Sequence, residues 1–166
     1  LAEDRPGALA VLAYGSALRD SSPHDTLIDY YVLVDSGQNL GGGALLRWLG
    51  ERIPPNVFYA EQSYNGVTLR AKCAVMTIGR FAEGVSSSTS NPYFWARFAQ
   101  PSRIVWLSSE QLRAEVVAAL AEAARTAFGH GVYLSATSPW QALFENTYRT
   151  ELRPESGSRA ALIVEA

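Results

Sequence analysis

Lysine is almost missing from this chain: of 14 basic residues, 13 are arginine and Lys72 alone is lysine. Mutational bias and chance both account for a lone lysine, so its position must decide whether it matters. Cysteine occurs once. Cys73 stands between apolar neighbours, which excludes a disulfide framework and a thiolate zinc site and fits a small buried hydrophobe in a reducing compartment. The two histidines, His24 and His130, have no partner at metal-ligand spacing, so a zinc site is not expected. The longest apolar run, Ala8 to Tyr14, falls far short of the ~18 residues that span a bilayer. A signal peptide is not expected, because Glu3 and Asp4 oppose a basic leader. Any work at a membrane is therefore expected at its surface. A net charge of −2 gives no field to hold a polyanion and argues against nucleic acid as a partner. Gly41-Gly42-Gly43 lacks the Lys-Ser/Thr of a phosphate loop, and Ser86 to Ser90 lacks a Gly-x-Ser-x-Gly nucleophile motif.

What is present suits an ordinary globular fold. The 166 residues are 48% hydrophobic and 18% charged, enough for one domain or a catalytic unit with a small helical appendage. Ala8 to Tyr14 reads as a buried strand feeding a Gly15-Ser16 turn. Ile28 to Val34, rich in β-branched and aromatic residues, reads as a second core strand, with Asp29, Tyr31 and Leu33 on one face. Residues 44–49 have helical spacing and are stopped by Pro54-Pro55. Asn56 to Gln62 and Val67 to Met76 flank Asn65-Gly66, a hairpin signal. Arg103 to Leu107 reads as another strand. Ser108 to Phe128 reads as a helix opened by a Ser108-x-x-Gln111 capping box, and Ser138-Pro139 opens one more. Ala160 to Val164 offers a last strand. The expected class is α+β: a strand-rich part, residues 1–107, and a helical part, residues 108–166.

The chemistry-bearing residues cluster in the first part. A strand, a Tyr14-Gly15-Ser16 turn and a carboxylate, Asp29, on the next strand suit nucleotidyl transfer, which needs backbone donors and a small hydroxyl close to phosphates. It also needs carboxylates for Mg²⁺, and Asp29 is the candidate. The arrangement resembles the nucleotidyltransferase superfamily, in which two carboxylates spaced by two are usual, but Leu27 holds that position here. Asp25 is the substitute; Asp35, about 20 Å along a straight strand, reads as a cap. In the strand from Val67, Thr68, Arg70 and Lys72 share a face, either a solvated sheet surface or a pair of phosphate contacts. Arg97 and Arg103 flank Pro101 and are either surface arginines or bidentate phosphate ligands. Tyr93-Phe94-Trp95 is either core or a lipid-facing contact.

The strand, Gly-Ser turn and strand carboxylate resemble the nucleotidyltransferase superfamily related to DNA polymerase β. More narrowly, AYGSAL, TLIDYYVLVD, NGVTLRAKCAVMT and ARFAQPSRIV, in this order, resemble the mitochondrial translocator assembly and maintenance protein family and its bacterial relatives. The resemblance runs from about Val11 to Val105, continuing weakly to about Arg153. Cys73-Ala74 stands where that family has Tyr-Gly, and Gln100 where it has Lys. The resemblance implies a nucleotidyltransferase-like mixed sheet with flanking helices, followed by a small helical subdomain. It also implies a Mg²⁺-dependent CTP:phosphatidate cytidylyltransferase that makes CDP-diacylglycerol at the inner face of the bacterial membrane. In that reading Asp29 and Lys72 are catalytic, and Tyr14, Gly15, Ser16, Arg70 and Arg97 bind nucleotide. Asp29 and Asp25 hold the metal. The alternatives are a different acceptor (metabolite, protein or tRNA) and a non-catalytic module that keeps the fold.

Overall fold

The computed structural model describes residues 2, 5–18, 27–53, 55–89 and 91–150. Asp25, His24 and the expected strand at 160–164 lie outside them. Five strands, β1 (Ala8–Tyr14), β2 (Ile28–Val34), β3 (Asn56–Tyr64), β4 (Val67–Thr77) and β5 (Ser102–Leu107), form one sheet in the order β3-β4-β2-β1-β5. The β2–β4 pair is parallel, and β3–β4, β1–β2 and β1–β5 are antiparallel. With the flanking helices α1 (Ala44–Arg52) and α2 (Ile78–Val85), then α3 (Pro92–Phe98), α4 (Leu112–Leu134) and α5 (Pro139–Thr150), the class is α+β, as expected. No helix among the described residues is long and apolar enough to cross a membrane.

Two compact units divide the chain. Residues 1–82 and 101–116 make the sheet unit; residues 83–100 and 117–166 make the helical one. The sequence draws its division after Leu107, and the contacts also bring residues 83–100 into the helical unit.

Local chemistry explains most of the sheet. Asn65 (φ 50°) and Gly66 (φ 78°) take the two left-handed positions of the tight hairpin turn that joins β3 to β4. Gly41 and Gly42 are also left-handed, at φ 82° and 79°, and lead into α1, so the triple glycine is a turn. Alternation governs β4 as far as Lys72; then Cys73 to Met76 are all buried. β2 changes in the same way, half-buried from Ile28 to Tyr30 and buried from Tyr31 to Val34. Both strands thus leave the solvent-facing end of the sheet and enter the core. One face of that core is Val11, Val32, Val34, Leu40, Cys73 and Val75. Burial raises the Cys73 thiol pKa, as befits a hydrophobe rather than a nucleophile.

The helices carry the differences from expectation. α2 follows β4 directly because the Thr77 hydroxyl accepts the Arg80 amide at 3.3 Å and caps it. α3 is capped by Asn91, whose side chain accepts the Tyr93 amide at 3.0 Å, and Pro92 opens it. Phe94 and Trp95 are buried, so these two aromatics are core and offer no lipid contact. α4 begins at Leu112, four residues after the expected cap at Ser108, because the turn at 109–113 is closed by its own backbone bonds. It continues past Phe128 to Leu134. His130 therefore lies inside α4, its ring stacked on Trp95 at 4.7 Å. Gly131 permits that continuation to meet α5, since a Cβ there would run into the Pro139 backbone carbonyl.

Candidate active site

The β2–β4 register places Asp29 directly beside Lys72. Side-by-side residues of neighbouring strands project from the same face. The β1–β2 register adds Tyr14 next to Asp29, β1–β5 adds Ser102, and β3–β4 adds Tyr59 next to Lys72. The result is a single row, Ser102, Tyr14, Asp29, Lys72, Tyr59, across all five strands. Its two charged members occupy adjacent central strands, about 4.8 Å apart at the backbone. Both stand just before their strands become fully buried.

Gly15 closes on this row. At φ +85°, it turns its bare Cα toward Asp29, and a Cβ built there would lie 3.2 Å from Asp29 Oδ2. Beyond it the backbone folds into a 3₁₀ turn over Ser16–Leu18, with the Leu18 amide donating to the Gly15 carbonyl at 3.3 Å. Tyr14 is fixed by its ring, 5.2 Å from the fully buried Tyr31 ring, so the last residue of β1 is held over β2. The sequence-derived residues Tyr14, Gly15, Asp29 and Lys72 are therefore brought together, with the backbone of Ser16 following directly.

The other candidates do not belong to this row. Arg70 lies one step nearer the hairpin on the same face as Lys72. Its Nε donates to Glu61 Oε2 at 3.4 Å, and the Tyr59 hydroxyl donates to the same oxygen at 3.1 Å. This exposed cross-strand pair engages the Arg70 guanidinium at the surface. Arg97 belongs to the helical unit, where its guanidinium lies 4.4 Å from the centre of the Tyr93 ring. Arg103 is exposed on β5. Asp35 follows β2 at the opposite end from Asp29, and its Oδ1 accepts a hydrogen bond from Asn39 Nδ2 at 2.7 Å. That bond lowers the Asp35 pKa, so this carboxylate serves the turn after β2. Tyr59 and Ser102 were not singled out by sequence reading; only the register reveals them.

Among the described residues no group of three or more His, Cys, Asp or Glu converges on one point. Mg²⁺ does not require one: it is commonly held by one or two carboxylates, with phosphate oxygens and water completing the octahedron. Asp29 would supply such a carboxylate, and the glycine facing Oδ2 keeps side-chain bulk away from that oxygen. The row thus fits a magnesium–phosphate ligand: an anionic oxygen for the metal, an ammonium for phosphate, and a glycine turn that allows close approach. No protein-family model matches the chain, and no curated protein is significantly similar to it.

Proposed function

We propose that this chain is a Mg²⁺-dependent nucleotidyltransferase, and specifically a phosphatidate cytidylyltransferase working on the surface of a bacterial membrane from its cytoplasmic side. The observation that carries the reaction class is the juxtaposition of Gly15, Asp29 and Lys72 at one end of the sheet. The choice of CTP and phosphatidate rests on the sequence resemblance.

The reaction joins a phosphate oxygen of phosphatidate to the α-phosphorus of CTP and breaks the α–β anhydride, releasing pyrophosphate. Four residues divide the work. The turn at Gly15-Ser16 brings backbone close to the triphosphate, Asp29 holds the metal, and Lys72 places a compact cation beside phosphate oxygens as charge shifts to the leaving group. Mg²⁺, when bound, neutralises phosphate charge and polarises the phosphoryl group.

The test is calorimetric titration of CTP with and without Mg²⁺. Binding that requires Mg²⁺, is lost in Asp29→Asn and falls at least tenfold in Lys72→Ala supports the reading. A folded protein that binds no nucleotide overturns it and leaves the non-catalytic module.

A further inference from the structure

Helix α1 is built inside out. Of its nine residues only Gly50 is buried, and a Cβ there would meet the Asn56 side chain of β3. The large apolar residues instead face solvent: Leu45 is 69% exposed, Leu46 54%, Trp48 50%, and Ile53, immediately after the helix, 73%. A helix that served only the core would reverse this, with leucines inward and small or polar residues outward.

Helical spacing organises these residues. Leu45, the half-buried Leu49 and Ile53 recur every fourth position and form one stripe; Trp48 and Arg52 form the stripe beside it. Arg47 and Glu51 make the border beyond Trp48. The Arg52 guanidinium lies 4.1 Å from the centre of the Trp48 ring, and Arg47 Nη1 donates to the Gly42 carbonyl at 2.9 Å. One cation therefore lies on the apolar ridge beside its tryptophan, and a second borders it.

We propose that α1 is the element by which this protein docks on an anionic bilayer. Leu45, Trp48, Leu49 and Ile53 would enter the headgroup–acyl boundary, and Arg47 and Arg52 would meet lipid phosphates. Three features favour a bilayer over a folded partner. The surface is a convex ridge rather than a groove. Its tryptophan is amphipathic and suits interfacial depth. Its charges, Arg47 and Arg52 against the single Glu51, leave it net positive and complementary to anionic headgroups. The site deepens the lipid-substrate reading above and rests on it only for the choice of phosphatidate as the anionic lipid.

The test is co-sedimentation of the full chain with vesicles, without nucleotide, so that its outcome is independent of catalysis. Vesicles of phosphatidylcholine containing phosphatidate should bind the protein, and pure phosphatidylcholine vesicles should bind it at least tenfold more weakly. Trp48→Glu and Leu45→Glu should each lower binding tenfold or more, and Arg52→Glu should lower it on the anionic vesicles. Tyr64→Glu, an equally exposed residue of the hairpin, should not. Because the α1 residues are exposed, the variants should keep their circular dichroism; Ile53→Gln provides a gentler change at the same ridge. Activity separates the two readings: on a short-chain phosphatidate dispersed as monomers, Trp48→Glu should match the unsubstituted chain. No binding to anionic vesicles, or binding insensitive to Trp48 and Leu45, overturns the docking proposal. So does a concentration-dependent dimer that the same substitutions dissolve, which would make the ridge a contact between copies.

Discussion

Replacing Gly15 by alanine separates backbone strain from site chemistry. At φ +85° an L-residue places its Cβ against its own backbone, at a cost of roughly 1–2 kcal/mol. The new methyl would also stand 3.2 Å from Asp29 Oδ2, tighter than ordinary contact, so the carboxylate must move by a few tenths of an ångström. Gly66 provides the matched control: its φ is +78° and nothing lies within 4 Å of its Cβ. Both alanine variants should lose about 1–2 kcal/mol, roughly 2–8 °C of melting temperature for a chain of this length, read by circular dichroism. Only Gly15→Ala should also weaken Mg²⁺-dependent CTP binding, by tenfold or more, because only there does the methyl displace the carboxylate proposed to hold the metal. Equal nucleotide affinity in the two variants would refute the claim that the Gly15 backbone and the Asp29 carboxylate form one site.

Other consequences follow from the packing and the charges. Gly131→Ala should destabilise the helical unit, because overpacking of about 1–3 kcal/mol against the Pro139 backbone outweighs the ~1 kcal/mol gained in helix propensity. Gly129→Ala, with open space at its Cβ in the same helix, should stabilise; a melting point raised by both would refute the close approach of α4 and α5. Cys73, buried and with its thiol pKa raised by burial, should resist iodoacetamide at neutral pH until urea unfolds the sheet, and rapid labelling of the native protein would contradict its place in the core. Asp35 has a lowered pKa because Asn39 donates to it. Its contribution is therefore fully present above the ordinary carboxylate value of 3.8 and is lost as pH falls through the lower folded value. The stability difference between the unsubstituted chain and Asp35→Asn should stay constant above about pH 5 and close below it; a pH-independent difference would remove Asp35 from that turn.

Much of this architecture was legible because its signals are local. Asn65-Gly66 specifies the hairpin turn through two left-handed positions, and the β-branched and aromatic run at Ile28 specifies β2 whatever it packs against. The parallel pairing of β2 with β4 is not local. Nothing in the sequence states that Asp29 and Lys72 share a register, and Tyr59 and Ser102 join the row only once that register exists. Helix caps were less legible. Thr77 and Asn91 cap α2 and α3, but a threonine at the end of an apolar strand and an asparagine after serines read equally well as strand and loop. Gly129 and Gly131 suggest a helix end near Phe128; tertiary packing overrides that signal, because Gly131 makes room for the α5 backbone. Aromatic residues were placed by the structure: Phe94 and Trp95, open in the sequence to a core or a lipid-facing reading, are core, whereas Trp48, in a helix marked by its apolar spacing, is half exposed.

The most direct test of the catalytic account is pyrophosphate release with each of the four ribonucleoside triphosphates, Mg²⁺ and phosphatidate in mixed micelles, with the lipid product identified by mass. The account predicts release and CDP-diacylglycerol with CTP alone, abolished in Asp29→Asn and reduced on the order of 10²–10³-fold in Lys72→Ala, the loss typical of removing one electrostatic stabiliser. Silence with every nucleotide from a folded chain, or turnover undiminished by both substitutions, would contradict it.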